Sequence, residues 1–226
     1  MTSERKNYDV VVVGAGNAAL TAALAAASEG AKVAILEKAP EHLRGGNSYF
    51  TGGLFRFAYN GIEDISELLP AITSDEKENI DVGSYKESEF YSDVMRVTEG
   101  LSDPSLLQTL TSKSFPTMLW MKDQGVPWIL AYGRQAFEHE GKQRFWGGLI
   151  VEAVGGGKGL SDRLFELVER NEIEVFYQTS GTKLSVNQSG SVNGITVKSE
   201  SGYEDISCKS IVLACGGFEA NSEMRT

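Results

Sequence analysis

The run Asp9-Val-Val-Val-Val-Gly14-Ala15-Gly16-Asn17-Ala18-Ala19 and, 23 positions after Gly14, the acid Glu37 have the types and spacing to hold a nucleotide pyrophosphate and its ribose. Glycine lets the chain bend sharply, and the second glycine leaves room for a phosphate. A helix starting there adds free N–H groups and a favourable dipole. Ala19 takes the third small position of the pattern. A carboxylate roughly 20 residues downstream is placed to accept hydrogen bonds from ribose hydroxyls.

Those residues need particular elements behind them. Val10 to Val13 form a continuous apolar run, as a strand buried on both faces requires. Asn17 to Ser28 reads as an alanine-rich helix able to lie close to a sheet, ended by Gly30. Lys32 to Leu36 reads as the next strand, with Glu37 at its end. Strand, turn, helix, strand and acid in this order predict the opening βαβ of a dinucleotide-binding sheet.

The bulk numbers leave room for one sizeable core and a small second lobe: 226 residues, 41% hydrophobic. The uncharged run Val10 to Ala27 is interrupted by Gly14, Gly16, Asn17 and Thr21, and reads as core rather than signal peptide or membrane span. Thirty-one acidic against 21 basic residues give a net charge of −10, which argues against nucleic acid or an anionic membrane as partner. Much of the acid lies in Glu63 to Asp93, a solvated face. Cys208 and Cys215 have no metal-site or disulfide spacing, and a reducing cytoplasm is the expected compartment.

Further along, His42 to Gly61 predicts an irregular loop. Lys86 to Gly100 and Pro104 to Gln124 predict helices with Phe90, Val94, Val97, Leu106, Leu107 and Leu110 on apolar faces. Gly155 to Gly159 fails as a triphosphate loop, because Glu152 and Gly159 stand where glycine and a hydroxyl residue are needed. It reads instead as a flexible entry to a helix over Leu160 to Arg170. Strands are expected at Ile173 to Phe176, Thr182 to Val186, Val192 to Ser199 and Ser210 to Leu213, with a hairpin turn at Gln188-Ser-Gly190.

Two later glycine segments separate a flavin from a nicotinamide site. Arg44-Gly45-Gly46-Asn47-Ser48 follows Glu37 directly and brings a second backbone segment to the phosphate side. Ile211 to Phe218 ends in Gly216-Gly217, a third approach. Three approaches suit FAD. Other groups with chemistry read more simply: Arg56, Arg134, Lys142, Arg144 and Lys158 as surface or phosphate-side charges, and Trp120, Trp128 and Trp146 as core. His139 reads as exposed hairpin, His42 has no catalytic partner, and Cys215 is a small packing residue. No residue is assigned as catalytic.

With these segments and Thr51-Gly52-Gly53, the chain resembles the FAD-binding flavoproteins of the fumarate reductase and succinate dehydrogenase type. Tyr132-Gly-Arg-Gln-Ala-Phe137 and Phe145-Trp-Gly-Gly148 through Gly157 are similar to its tricarballylate dehydrogenase subgroup. The resemblance implies an α/β, Rossmann-like FAD-binding domain over residues 1–226. Its parallel sheet and added β-meander would come from 7–55 and 158–226, around a mainly helical insertion at 56–157.

It also implies roles. Gly14, Ala15, Gly16, Asn17 and Ala18 would line the pyrophosphate, Glu37 and Lys38 the ribose, and Arg44 to Ser48 the phosphates beyond. Thr51, Gly52 and Gly53 would lie by the flavin ring, Gly181 near adenine, and Gly216 and Gly217 on the return strand. Asn47 stands where succinate dehydrogenases carry the flavin-linking histidine, so FAD should be noncovalent. The implied reaction is dehydrogenation of a small di- or tricarboxylate by hydride transfer to flavin N5, with an electron-acceptor protein as a further partner. Family members continue into a capping domain that carries their carboxylate-binding and proton-donor residues, so this chain is expected to be the flavin-binding part. The alternatives are a dehydrogenase of apolar ketones of the 3-ketosteroid type, and a flavin-binding fragment without turnover.

Overall fold

A computed structural model of the chain describes residues 6–145, 147–219 and 221–226. Trp146, read as core, lies outside the described residues. The elements run β1 (Asn7–Val13), α1 (Asn17–Ser28), β2 (Val33–Leu36), β3 (Leu54–Phe55), α2 (Ile62–Leu68), α3 (Ser74–Asn79) and β4 (Ile80–Asp81). They continue with α4 (Glu87–Val97), α5 (Pro104–Asp123), β5 (Trp128–Leu130), α6 (Tyr132–Gln135), β6 (Ala136–His139), β7 (Lys142–Phe145) and β8 (Val151–Ala153). Last come α7 (Gly156–Arg170), β9 (Glu174–Phe176), β10 (Ser180–Val186), β11 (Val192–Ser199) and β12 (Gly202–Leu213). The fold is mixed α/β and divides into two units, residues 1–51 with 158–226, and residues 52–157.

The first unit carries a six-stranded sheet in the order β10-β11-β12-β1-β2-β9. β1 is parallel to β12 and β2, and β2 to β9, while β10, β11 and β12 form an antiparallel meander. β12 joins the two patterns: its residues from Gly202 to Ser207 pair with β11, and those from Ser207 to Leu213 with β1. The sequence showed only the second half of β12, whose apolar Ile211 to Leu213 stands out; the first half is half-polar and legible only through its partner. α1 buries Ala19, Leu20, Ala23 and Leu24, small enough at two of four positions to bring the helix axis close to the sheet. Tyr8, Val11, Ala34, Leu36, Ile195, Val197, Ile206 and Cys208 form a core cluster, each larger apolar side chain contributing about 1.5–3 kcal/mol by leaving water. Burial pushes the Cys208 thiol pKa up, whereas Cys215 is exposed.

The second unit holds α2 to α6 and two three-stranded sheets, β3-β8-β5 and β4-β7-β6. α5 spans Pro104–Asp123, and its inward residues are Leu107, Thr111, Ser114, Met118 and Met121. Leu106, Leu110 and Val97, expected on apolar faces, are exposed. The inward stripe is hidden in the sequence because two of its members are hydroxyl residues, which the interior accepts through backbone hydrogen bonds. Ser114 Oγ accepts from the Ala58 N–H at 3.0 Å and donates to the Thr111 carbonyl at 2.8 Å. α7 starts at Gly156, four residues before the expected start at Leu160. Of the glycines read as a flexible entry, those from Gly156 on form its first turn, with Gly156 at φ +66° and its backbone close against Gly53. His139 lies at the exposed end of the β6–β7 hairpin, as its flanking acids suggest. Among the described residues no helix is long and apolar enough to cross a membrane.

Candidate functional site

At the carboxyl end of β1 the chain turns at Gly14, with φ +104° and its N–H donating to the Leu36 carbonyl at 2.8 Å. A Cβ there would sit 2.5 Å from the Ala214 carbonyl oxygen and 2.9 Å from Cys215 Cα. Gly14 is therefore glycine for two reasons, its left-handed backbone and the passage of the β12 end directly against it. Ala15 is buried. Gly16 is extended and caps α1 with its carbonyl, which accepts from Leu20 N–H at 3.0 Å, but it has no side chain to cap the helix donors. Ser48 does so from another segment: its Oγ accepts the Asn17 N–H at 3.0 Å, an arrangement of the kind that stabilises a helix start by about 1 kcal/mol. A Cβ on Gly16 would lie 3.4 Å from Ser48 Oγ and 3.8 Å from the Gly45 carbonyl. The first and second glycine segments thus meet at the N-terminus of α1.

Two observations make this junction fit a dinucleotide. Asn17 Oδ1 is buried without a hydrogen-bond partner, an arrangement that costs about 1–3 kcal/mol unless a ligand or water supplies a donor. Gly46, next in line, faces open space, with nothing within 4 Å of where its Cβ would be. The helix dipole adds a field that favours an anion. Ala18 is exposed on the first turn.

Glu37 is 8% exposed and held on both sides. Its N–H donates to the Phe176 carbonyl at 2.9 Å, its carbonyl accepts from Thr179 N–H at 2.9 Å, and its Oε1 accepts from Ala39 N–H at 2.8 Å. The carboxylate is thereby oriented before any ligand arrives. Lys38 is exposed beside it.

Arg44, expected along the phosphates, is committed elsewhere through its guanidinium. Nη1 donates to Tyr177 Oη at 2.9 Å and pairs with Glu41 and Glu169 at 3.4 Å, and the group stacks 4.1 Å over the Phe165 ring. Burial opposes its charge, but the Tyr177 hydroxyl and Glu169 outweigh it and raise its pKa above the ordinary value. Burial also lifts the Tyr177 hydroxyl, against the pull of Arg44. A cavity of about 480 Å³ adjoins it, lined by Glu41, His42, Arg44, Tyr49, Ser161 and Asp162; its mixed charges make it a poor phosphate cradle. From this segment it is Gly45 and Ser48 that touch the α1 start. A Cβ on Gly45 would meet Ser161 Oγ at 2.5 Å, so the segment is seated on α7. Asn47 Nδ2 donates to Glu219 Oε2 at 3.3 Å.

Thr51 Oγ1 donates to the Ser48 carbonyl at 3.0 Å. In the second unit, a Cβ on Gly52 would fall 2.1 Å from Arg134 Nη1, and one on Gly53 2.6 Å from the Gly156 carbonyl carbon. Gly53 also has φ +72°, and its carbonyl accepts from Ala153 N–H at 2.9 Å. Gly181, on β10, is covered by core side chains, with Ile195 Cδ1 2.8 Å and Val13 Cγ1 3.3 Å from a would-be Cβ. Gly216 faces open space, and Gly217 has the Glu219 carboxylate against it. Ser161 and Phe165 had no signal in the sequence: each reaches the site from α7, at positions whose neighbours show no motif, whereas Glu219 directly follows the third glycine segment.

Comparison with known proteins follows the same lines. The family described as FAD binding domain matches residues 9–226. The vinyl phenol reductase of Lactiplantibacillus plantarum is 28% identical over 98% of this chain and 40% of its own length. The urocanate reductase of Eggerthella lenta is 30% identical over 97% of this chain and 33% of its own. The open conformation of a flavocytochrome c3 fumarate reductase superposes with a TM-score of 0.73 at 27% identity, covering 97% of this chain and 35% of that one. The chain thus spans 33% to 40% of the length of these relatives.

Proposed function

The chain belongs to the FAD binding domain family, and from that premise we propose that it is the FAD-binding portion of an oxidoreductase that dehydrogenates a small di- or tricarboxylate such as tricarballylate. FAD is its cofactor. The observation that carries the reading is the meeting of three backbone segments in one unit: Gly14 against Ala214, and Gly16 and Asn17 against Gly45 and Ser48. An extended dinucleotide needs such successive approaches, and its two negative phosphates belong at the α1 N-terminus.

In this reading Gly14 to Ala18 and Gly45 to Ser48 hold the pyrophosphate, with Asn17 Oδ1 receiving a donor on binding. Arg44 anchors its segment from outside. Glu37, beside Lys38, accepts the ribose hydroxyls, and Gly181 lies toward the adenine. Thr51, Gly52 and Gly53 border the ring, and Gly216 and Gly217 close the return strand. Asn47 has no ring nitrogen to alkylate, so the cofactor stays noncovalent. The flavin, when bound, supplies the hydride-accepting N5.

The chain's own residues bind, orient and shield; we assign proton abstraction and substrate-carboxylate binding to residues outside this chain. The relatives' names, urocanate reductase and fumarate reductase, support a carboxylate substrate, and Tyr132 to Phe137 the tricarballylate assignment. A protein that reoxidises the flavin is the matching partner. Anaerobic mixing of tricarballylate with an FAD-loaded protein that carries this chain together with those residues is expected to bleach the flavin's visible absorbance. Persistence of the colour with tricarballylate and other small di- and tricarboxylates rejects the substrate class.

A further inference from the structure

The tripeptide Asn-Gly-Ile occurs twice in the chain, as Asn60-Gly61-Ile62 and Asn193-Gly194-Ile195, and the fold treats the two copies oppositely. An Asn-Gly pair can react with itself. Glycine has no side chain to screen its backbone nitrogen, and it lets the chain turn until that nitrogen reaches the asparagine side-chain carbonyl. Asn193-Gly194 is denied that turn. It lies inside β11, paired to β10 on one side and β12 on the other, and a Cβ on Gly194 would stand 2.6 Å from the Ile206 carbonyl oxygen. Asn60-Gly61 stands outside the strands, immediately before α2. Asn60 is exposed, and apart from the chain neighbours only Glu63 Oε2, at 3.5 Å, comes near a Cβ built on Gly61. Among the described residues the Gly61 N–H has no hydrogen-bond partner. Asp64, in the first turn of α2, holds the amide group that would leave: its Oδ2 accepts the Asn60 N–H at 2.7 Å and Asn60 Nδ2–H at 3.1 Å. A departing Nδ2 gains positive charge as it takes a proton, and an adjacent carboxylate stabilises that charge.

We propose that Asn60 is a site of spontaneous covalent modification, deamidation through a cyclic imide, and that β11 protects Asn193 from the same reaction. The Gly61 nitrogen gives its proton to solvent and bonds to Asn60 Cγ, the Cγ–Nδ2 bond breaks, and Nδ2 takes a proton from solvent to leave as ammonia. Water then opens the ring at either of its two carbonyls. Aspartate or isoaspartate results, with no change of oxidation state. Either product turns the donor that faced Asp64 into a carboxylate, so two like charges meet where a hydrogen bond stood. Isoaspartate also lengthens the main chain by one carbon directly before α2. That helix buries Ile65 and Leu68, so the modification loosens part of the core of its unit.

The test is peptide mapping by mass spectrometry of the purified chain during incubation at mildly alkaline pH, beside a sample held unfolded in urea. In the folded chain Asn60 is expected to show the mass change from amide to acid severalfold faster than Asn193, and an isoaspartate-specific methyltransferase should label position 60. In urea the two copies, with the same Gly-Ile after them, should react at similar rates. Gly61→Ala fits the extended backbone there, with φ 163°, and should slow the reaction at Asn60 severalfold with an unchanged circular dichroism spectrum. Asp64→Asn keeps an oxygen for the Asn60 N–H but not the charge, and should slow it as well. Asn193 reacting as fast as Asn60 in the folded chain overturns the proposal, as does a Gly61→Ala chain that reacts at the unaltered rate. An unaltered rate in Asp64→Asn overturns the part given to the Asp64 carboxylate.

Discussion

Replacing Gly14 by alanine is expected to abolish FAD retention and to lower the chain's stability by about 3 kcal/mol or more. Two effects add. A residue with a Cβ at φ +104° sits in a region costing on the order of 1–3 kcal/mol. The methyl would also stand 2.5 Å from the Ala214 carbonyl oxygen and 2.9 Å from Cys215 Cα, both backbone atoms that cannot swing aside. Relief requires the ends of β1 and β12 to part, which undoes their parallel pairing at Val13 and Leu213 and moves Gly216 and Gly217 with them. Urea unfolding followed by circular dichroism measures the first effect and FAD titration the second. Stability within about 1 kcal/mol of the unaltered chain, with FAD retained, would contradict the packing account.

Glu37 separates ligand binding from folding. Glu37→Gln is expected to weaken FAD binding by roughly 10- to 100-fold, because hydrogen bonds to a charged group contribute about 1.5–3 kcal/mol. Glutamine keeps one carbonyl oxygen for the Ala39 N–H, now at 2.8 Å from Glu37 Oε1, so the local fold survives, but it offers a donor where the ribose needs an acceptor. Glu37→Ala should weaken binding at least as much and also leave the Ala39 N–H unpaired. Titration of FAD against both variants by quenching of flavin fluorescence gives the affinities. Unchanged affinity in both would remove Glu37 from the site.

What could be read from the sequence follows the physics of each segment. α1 was legible to its end residues because Gly16 precedes it and Gly30 stops it, and β2 because all four of its residues are apolar and buried. Glu37 was legible because the acid's place in a βαβ unit is fixed by chain length. The strands of the second unit were not: they run two to four residues, too short for a period of two to rise above chance. The seating of the second glycine segment was also hidden. Gly45 faces Ser161, and Arg44 is claimed by Phe165, Tyr177 and Glu169, all more than a hundred positions away. Basic charge beside a glycine pair reads naturally as phosphate contact, and only tertiary structure shows it spent on an aromatic face and two acids.

The Ser48 to Asn17 contact is the clearest case of a local pattern completed from afar. The sequence places a helix at Asn17 without a capping side chain, since Gly16 has none to offer. Ser48, 31 residues on, supplies the oxygen. One residue thereby ties the second glycine segment to the dipole end of α1, and the proposed phosphate site is assembled in the fold before a ligand arrives.

The claim that this unit is built to hold FAD without a covalent link is tested most directly by flavin release. The chain is purified, incubated with FAD, freed of unbound cofactor by gel filtration and denatured in acid. The account predicts a yellow supernatant with the absorbance and chromatographic retention of FAD, and a colourless protein pellet. A colourless supernatant after incubation with added FAD would contradict the cofactor site, and flavin remaining in the pellet would contradict the noncovalent link.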